Sequence, residues 1–144
     1  GGRFFDERSL ALGIADLAAP YVAFGIKWID YDNDGWLDLV ICNGHISDSV
    51  ADYDPGRTYR DPTLLFHNER GVRLTDVSAA AGPDLARPIV GRGLAVGDYD
   101  NDGQLDILLS GQDASSTRID KDYNNQGSGV FTENSAGLTG VSLG

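Results

Sequence analysis

Cysteine is almost absent from this sequence: Cys42 is the single thiol in 144 residues, so no internal disulfide forms and cysteine usage does not report a redox compartment. It reads as a small core residue. Long apolar runs are missing too. Nothing approaches the ~18 residues of a membrane span, and no charged-then-apolar leader precedes the first strand-like segment. The chain opens on Gly1-Gly2 rather than Met, which leads to the expectation of a mature or excised piece. Positive charge is scarce: 11 Lys and Arg face 22 Asp and Glu, for a net charge of −11 and a pI near 4.3. With no basic run, such a chain is a poor partner for nucleic acid or an anionic membrane surface. Histidine occurs twice, at His45 and His67. Neither belongs to a metal-ligand pattern, so both read as loop and strand side chains making ordinary hydrogen bonds, and not as zinc or catalytic groups.

What is present is an apolar content of 41%, enough for one packed domain, and a concentration of acid. Eight of the 22 acidic residues lie in two nine-residue stretches that contain no Lys or Arg. Residues 30–38 read Asp-Tyr-Asp-Asn-Asp-Gly-Trp-Leu-Asp, which puts carboxylates at positions 1, 3, 5 and 9 of a loop turned by Gly35. Four carboxylates this close repel one another unless a cation sits among them, and a hard divalent ion taking six to eight oxygens is the usual answer. Calcium is the natural candidate. The loop recurs at residues 98–106 as Asp-Tyr-Asp-Asn-Asp-Gly-Gln-Leu-Asp, an offset of 98 − 30 = 68 residues. A repeat protein is the first expectation.

The flanks support it. Phe24, Ile26, Trp28 and Asp30 alternate with Gly25, Lys27 and Ile29, as in a strand that runs into the first loop. Leu37 to Cys42 is nearly continuous in apolar residues, the mark of a strand covered on both faces. Asn43 to Pro62 has no periodicity and reads as an extended surface loop; Thr63 to His67 then forms a third strand, Asn68 to Gly71 a turn and Val72 to Asp76 a fourth strand. The same parts return as Gly93 to Asp98, Leu105 to Ser110, Thr117 to Asn124 and Val130 to Glu133. The expectation is all-β, with one four-stranded antiparallel unit at 22–76 and a second at 90–133. Arg3 to Asp6 would be a ninth, outer strand, and Glu7 to Pro20 a long connection with a helical turn.

Phe24-Gly25 followed by Asp-x-Asp-x-Asp-Gly-x-x-Asp and an apolar strand resembles the FG-GAP or VCBS-type repeat of integrin-alpha-like β-propellers, one repeat to a blade. Residues 38–46 and 91–100 further resemble secreted relatives of UnbV and of cartilage acidic protein. The resemblance implies that the loop between the first two strands of each blade binds calcium. The ligands would be Asp30, Asp32, Asp34 and Asp38 with the Trp36 carbonyl, and Asp98, Asp100, Asp102 and Asp106 with the Gln104 carbonyl. Propellers have about four or more blades and this chain supplies two. A fragment, or an oligomerising part, of a larger propeller is therefore expected.

Competing motifs fail on context. An EF-hand needs Glu at loop position 12, where this chain has Ile41 and Leu109. Gly140-Val141-Ser142-Leu143-Gly144 matches a nucleophile elbow but lacks the following helix and the downstream Asp and His that the motif requires. Gly91, Gly93 and Gly97 miss the dinucleotide-binding spacing. Asp120, Asp122 and Asn124 echo the cage without its glycine, and read as strand and turn residues. No catalysis is expected. The functional expectation is a calcium-binding module with a structural or adhesion role, extracellular, periplasmic or on the cell surface, where calcium is plentiful. Tyr53, Arg57 and Tyr59 in the long loop would either contact a protein or glycan or simply cover a blade. The rival expectation is a part of a propeller enzyme or carbohydrate-binding protein whose active face lies in other blades.

Overall fold

The computed structural model describes residues 6–134 of the chain. They fold into two four-stranded antiparallel sheets built in sequence order, an all-β arrangement consistent with propeller blades. The first sheet holds β1 (Ala23–Ile29), β2 (Asp38–Asn43), β3 (Leu64–Asn68) and β4 (Leu74–Asp76). The second holds β5 (Val90–Gly97), β6 (Asp106–Gln112), β7 (Arg118–Asn125) and β8 (Phe131–Asn134). Two four-residue helices, α1 (Ala15–Ala18) and α2 (Val50–Tyr53), lie in the connections. Among the described residues no helix is long and apolar enough to cross a membrane.

All six residues of β2 are buried, as the apolar run Leu39 to Cys42 requires, and the polar Asp38 and Asn43 at its ends are buried with it. Alternate residues serve different cores. Val40 and Cys42 join Ile29 and Leu65 in a cluster that also takes Ile107, Leu109, Tyr123 and Phe131, so this core is the joint between the sheets. Leu39 and Ile41 join Leu64, Phe66 and Leu74 on the opposite face, covered by Leu12, Ile14, Ala18 and Tyr21 from the connection before β1. The joint is closed by backbone packed on backbone: a Cβ on Gly44 would stand 2.6 Å from the Gly91 nitrogen, and one on Gly91 would strike Cys42 Sγ. Only glycine fits at such an approach.

Two expectations need correction. β4 begins at Leu74 and not at Val72, because Arg70 and Gly71 take positive φ (54° and 79°) and the turn continues through a Glu69–Arg73 backbone pair. The loop 43–62 is not wholly extended: α2 forms within it and anchors it through Val50, which is 1% exposed. Of the expected outer strand, Asp6 is in no strand and Arg3 to Phe5 lie outside the described residues, as does the Gly140 to Gly144 motif.

Candidate metal centre

Each acidic loop joins the first two strands of its sheet, and its turn is set by local chemistry. Asn33 and Asn101 take left-handed backbone (φ 57° and 62°), as do Gly35 and Gly103 (φ 89° and 86°). Asn and Gly are the residues that tolerate it. Left-handed turns at loop positions 4 and 6 aim amides inward. The Asp34 and Gly35 amides donate to Asp30 Oδ1 and Oδ2, each at 3.1 Å, and the Trp36 amide donates to Asp34 Oδ1 at 2.8 Å. The second loop repeats these bonds from Asp102 and Gly103 to Asp98 at 3.1 Å, and from Gln104 to Asp102 at 2.8 Å. The loops are thus held in one shape by Asx-type bonds.

The last carboxylate of each loop behaves differently. Asp38 is fully buried, with Oδ2 accepting from the Tyr31 amide at 3.2 Å and Oδ1 from the Asn68 amide at 2.7 Å. Asp106 does the same with Tyr99 at 2.8 Å and Asn125 at 2.9 Å. Burial pushes the Asp38 carboxyl above its usual range, while the Asn68 and Tyr31 amides pull it back. These two residues tie the loop to the third strand of the blade, and each oxygen keeps a second lone pair for a cation.

The carboxylates do converge. Oxygens of Asp30, Asp32 and Asp34 lie within 4.8 Å of one another, and so do oxygens of Asp98, Asp100 and Asp106. Asp102 stands outside that second trio, and Asp38 is grouped with Asp32 and His67 instead of with Asp30. All-oxygen trios suit a hard cation such as calcium, whose six to eight ligands leave room for carbonyls and water.

Sequence reasoning missed three participants. His67 brings Nδ1 to 3.3 Å from both Asp32 Oδ2 and Asp38 Oδ1, a buried nitrogen with no aligned hydrogen bond to either. Asn124 occupies the matching place in the second blade and donates to Asp100 Oδ2 at 2.5 Å. Both residues immediately precede the asparagine that bonds the last loop carboxylate, and that register was the available signal. Third, Asn33 reaches the neighbouring loop, donating to Gln104 Oε1 at 2.8 Å and to the Gly103 carbonyl at 3.3 Å. His45 is remote from both loops, its Nδ1 accepting from the Ser47 amide at 3.1 Å.

A two-sheet repeat with an acidic, amide-braced loop at the same place in each sheet defines a blade-type repeat protein. The FG-GAP-like repeat pattern matches residues 30–109, more than half of the sequence, and the chain belongs to that family. No curated protein matches it.

Proposed function

We propose that the chain is a calcium-binding propeller module with a structural or adhesion-type, ligand-binding role outside the cytoplasm, and that it is not an enzyme. The observation that carries the reading is the repetition of one amide-braced carboxylate turn in both blades, hydrogen bond for hydrogen bond. The residues assigned to the two ions are Asp30, Asp32, Asp34, Asp38 and the Trp36 carbonyl, and Asp98, Asp100, Asp102, Asp106 and the Gln104 carbonyl. Each ion offsets part of a loop charge of −4, and binding to the folded chain alone adds to its stability. The bound ion supplies charge neutralisation; the chain's own residues supply the turn and its tie to the blade through Asp38 and Asp106. Calorimetric titration with calcium tests the reading, with two ions per chain expected and none overturning it.

A second reading is favoured by one observation. At the end of the strands opposite the acidic loops, Tyr59, Arg92, Gln112, Arg118 and Asp120 line a cleft of about 290 Å³. Arg92 is held there by the Gly44, Gly91 and His45 carbonyls and the Phe24 ring, and the exposed Arg118 adds a cation beside it in a chain of net charge −11, a pairing suited to an acidic sugar. Loss of binding of an acidic oligosaccharide in Arg118→Ala, with calcium binding intact, supports this use of the module; no binding by the parent chain removes it.

A further inference from the structure

We propose that the first blade carries a zinc site built from His67, Asp32 and Asp38, distinct in its ligands from the all-oxygen turn and without a counterpart in the second blade. Each ligand comes from a different segment. Asp32 lies in the acidic loop, Asp38 opens β2, and His67 stands in β3 opposite Thr75 of β4. One ligand atom from each of the three lies within 4.8 Å of the other two. His67 Nδ1 is 3.3 Å from Asp32 Oδ2 and 3.3 Å from Asp38 Oδ1.

The imidazole nitrogen carries the proposal. It is buried and makes no hydrogen bond, a condition shared among the buried side-chain atoms of the described residues only by the Thr63 hydroxyl. Native folds rarely leave such a group without a partner. A nitrogen and an oxygen 3.3 Å apart, each bound at ~2.0–2.2 Å, subtend about 100–110° at a metal. That is the tetrahedral geometry of zinc, and one imidazole with two carboxylates leaves the fourth position to water. Nitrogen in the ligand set also moves the preference from calcium toward zinc.

The fold holds these ligands in place by itself. The buried Asp38 accepts the Asn68 amide on Oδ1 at 2.7 Å and the Tyr31 amide on Oδ2 at 3.2 Å, which leaves Oδ1 a second lone pair. The His67 ring meets the Tyr31 ring edge-on, with centroids 6.0 Å apart. The second blade shows the same place without an imidazole. Asn124 precedes Asn125 as His67 precedes Asn68, and its amide donates to Asp100 Oδ2. A hydrogen bond there closes the gap that His67 leaves open. Zinc in the first blade would tie the loop, β2 and β3 together. It would draw on Asp32 and Asp38, so it competes with calcium in the first loop and not in the second; only this competition rests on the calcium reading.

Titration of the full chain with zinc, and with cobalt(II) as a spectroscopic stand-in, tests this. The parent is expected to bind one zinc ion, to give the intense visible bands of tetrahedral cobalt, and to release one calcium ion as zinc binds. His67→Asn copies the second blade and should bind zinc on the order of a hundredfold more weakly while taking calcium as the parent does. His67→Gln replaces it if the asparagine variant misfolds. The chain has two histidines, so ring-nitrogen NMR of the parent needs no variant: zinc should shift His67 Nδ1 and leave His45 unmoved. A parent that binds no zinc overturns the proposal, as does a His67→Asn variant that binds it equally tightly or a His67 ring signal that zinc leaves unchanged. Zinc binding without calcium binding strikes the calcium reading alone, and calcium binding without zinc binding strikes this proposal alone.

Discussion

Replacing Asp34 by Asn and by Ala separates the two jobs of the acidic loop. The Asp34 carboxylate is exposed, sits within 4.8 Å of Asp30 and Asp32 oxygens, and accepts the Trp36 amide at 2.8 Å. Asn keeps an oxygen for that amide while removing one charge. Ala removes both. In chelator the Asn variant should melt with or slightly above the parent, since one repelling charge is gone. The Ala variant should lose ~0.5–1 kcal/mol for the exposed hydrogen bond. In calcium both variants should lose one ion. With a dissociation constant of ~10⁻⁴ to 10⁻³ M and about 10 mM calcium, each ion stabilises the folded chain by ~1.4–2.7 kcal/mol. The parent should therefore gain about 3–5 kcal/mol from two ions, on the order of 10 °C in melting temperature for a domain of this size. Scanning calorimetry in calcium and in chelator, with calorimetric titration for stoichiometry, measures both effects. Equal melting temperatures of the parent in the two buffers refute the reasoning, and so does an Asp34→Asn variant that still binds two ions.

Asp102→Asn should remove the other ion and leave the first, because repeat units sense mainly their neighbours; titration that shows both ions lost would require one shared centre. Asn33→Ala deletes the two bonds from the first loop to Gly103 and Gln104, and should weaken calcium binding at the second site by less than tenfold, read by the same titration. Gly91→Ala should cost ~1–3 kcal/mol by overpacking, since its Cβ would meet Cys42 Sγ and stand 2.7 Å from the Asn43 carbonyl; urea denaturation that matches the parent would contradict the backbone-on-backbone joint. Asp61 is 3% exposed and burial raises its pKa, so the folded state holds its proton more tightly than the unfolded state. That penalty is absent at low pH and grows as pH rises through the folded value. Asp61→Asn should then raise the melting temperature near neutral pH and change it little at about pH 4. A uniform shift across pH would assign the effect to packing around Thr58, which donates to Asp61 Oδ1 at 2.9 Å.

The turn of each loop was legible because its causes are local. Carboxylates two residues apart, with Asn33 and Gly35 able to take left-handed backbone, dictate where the amides of Asp34, Gly35 and Trp36 point, whatever else the chain does. The strands were legible for the same reason: the alternation in β1 and the apolar run Leu39 to Cys42 in β2 are short-range patterns. Burial by another part of the chain could not be read this way. Nothing in the types of the four carboxylates of Asp30 to Asp38 distinguishes them, yet the third strand gives a backbone amide only to the last, and that Asn68 amide makes Asp38 a buried anchor while Asp34 stays in water. His67 is 29 positions from Asp38 and takes part only because β3 pairs with β2 in the register Leu39 to Phe66. Tyr31 and Tyr99 occupy identical local sequences, and one is 8% exposed and the other 59%. Their difference is made by Asn125 and Phe131, more than 90 residues from Tyr31, because packing one sheet on the next depends on neighbours in space that the repeat itself does not encode.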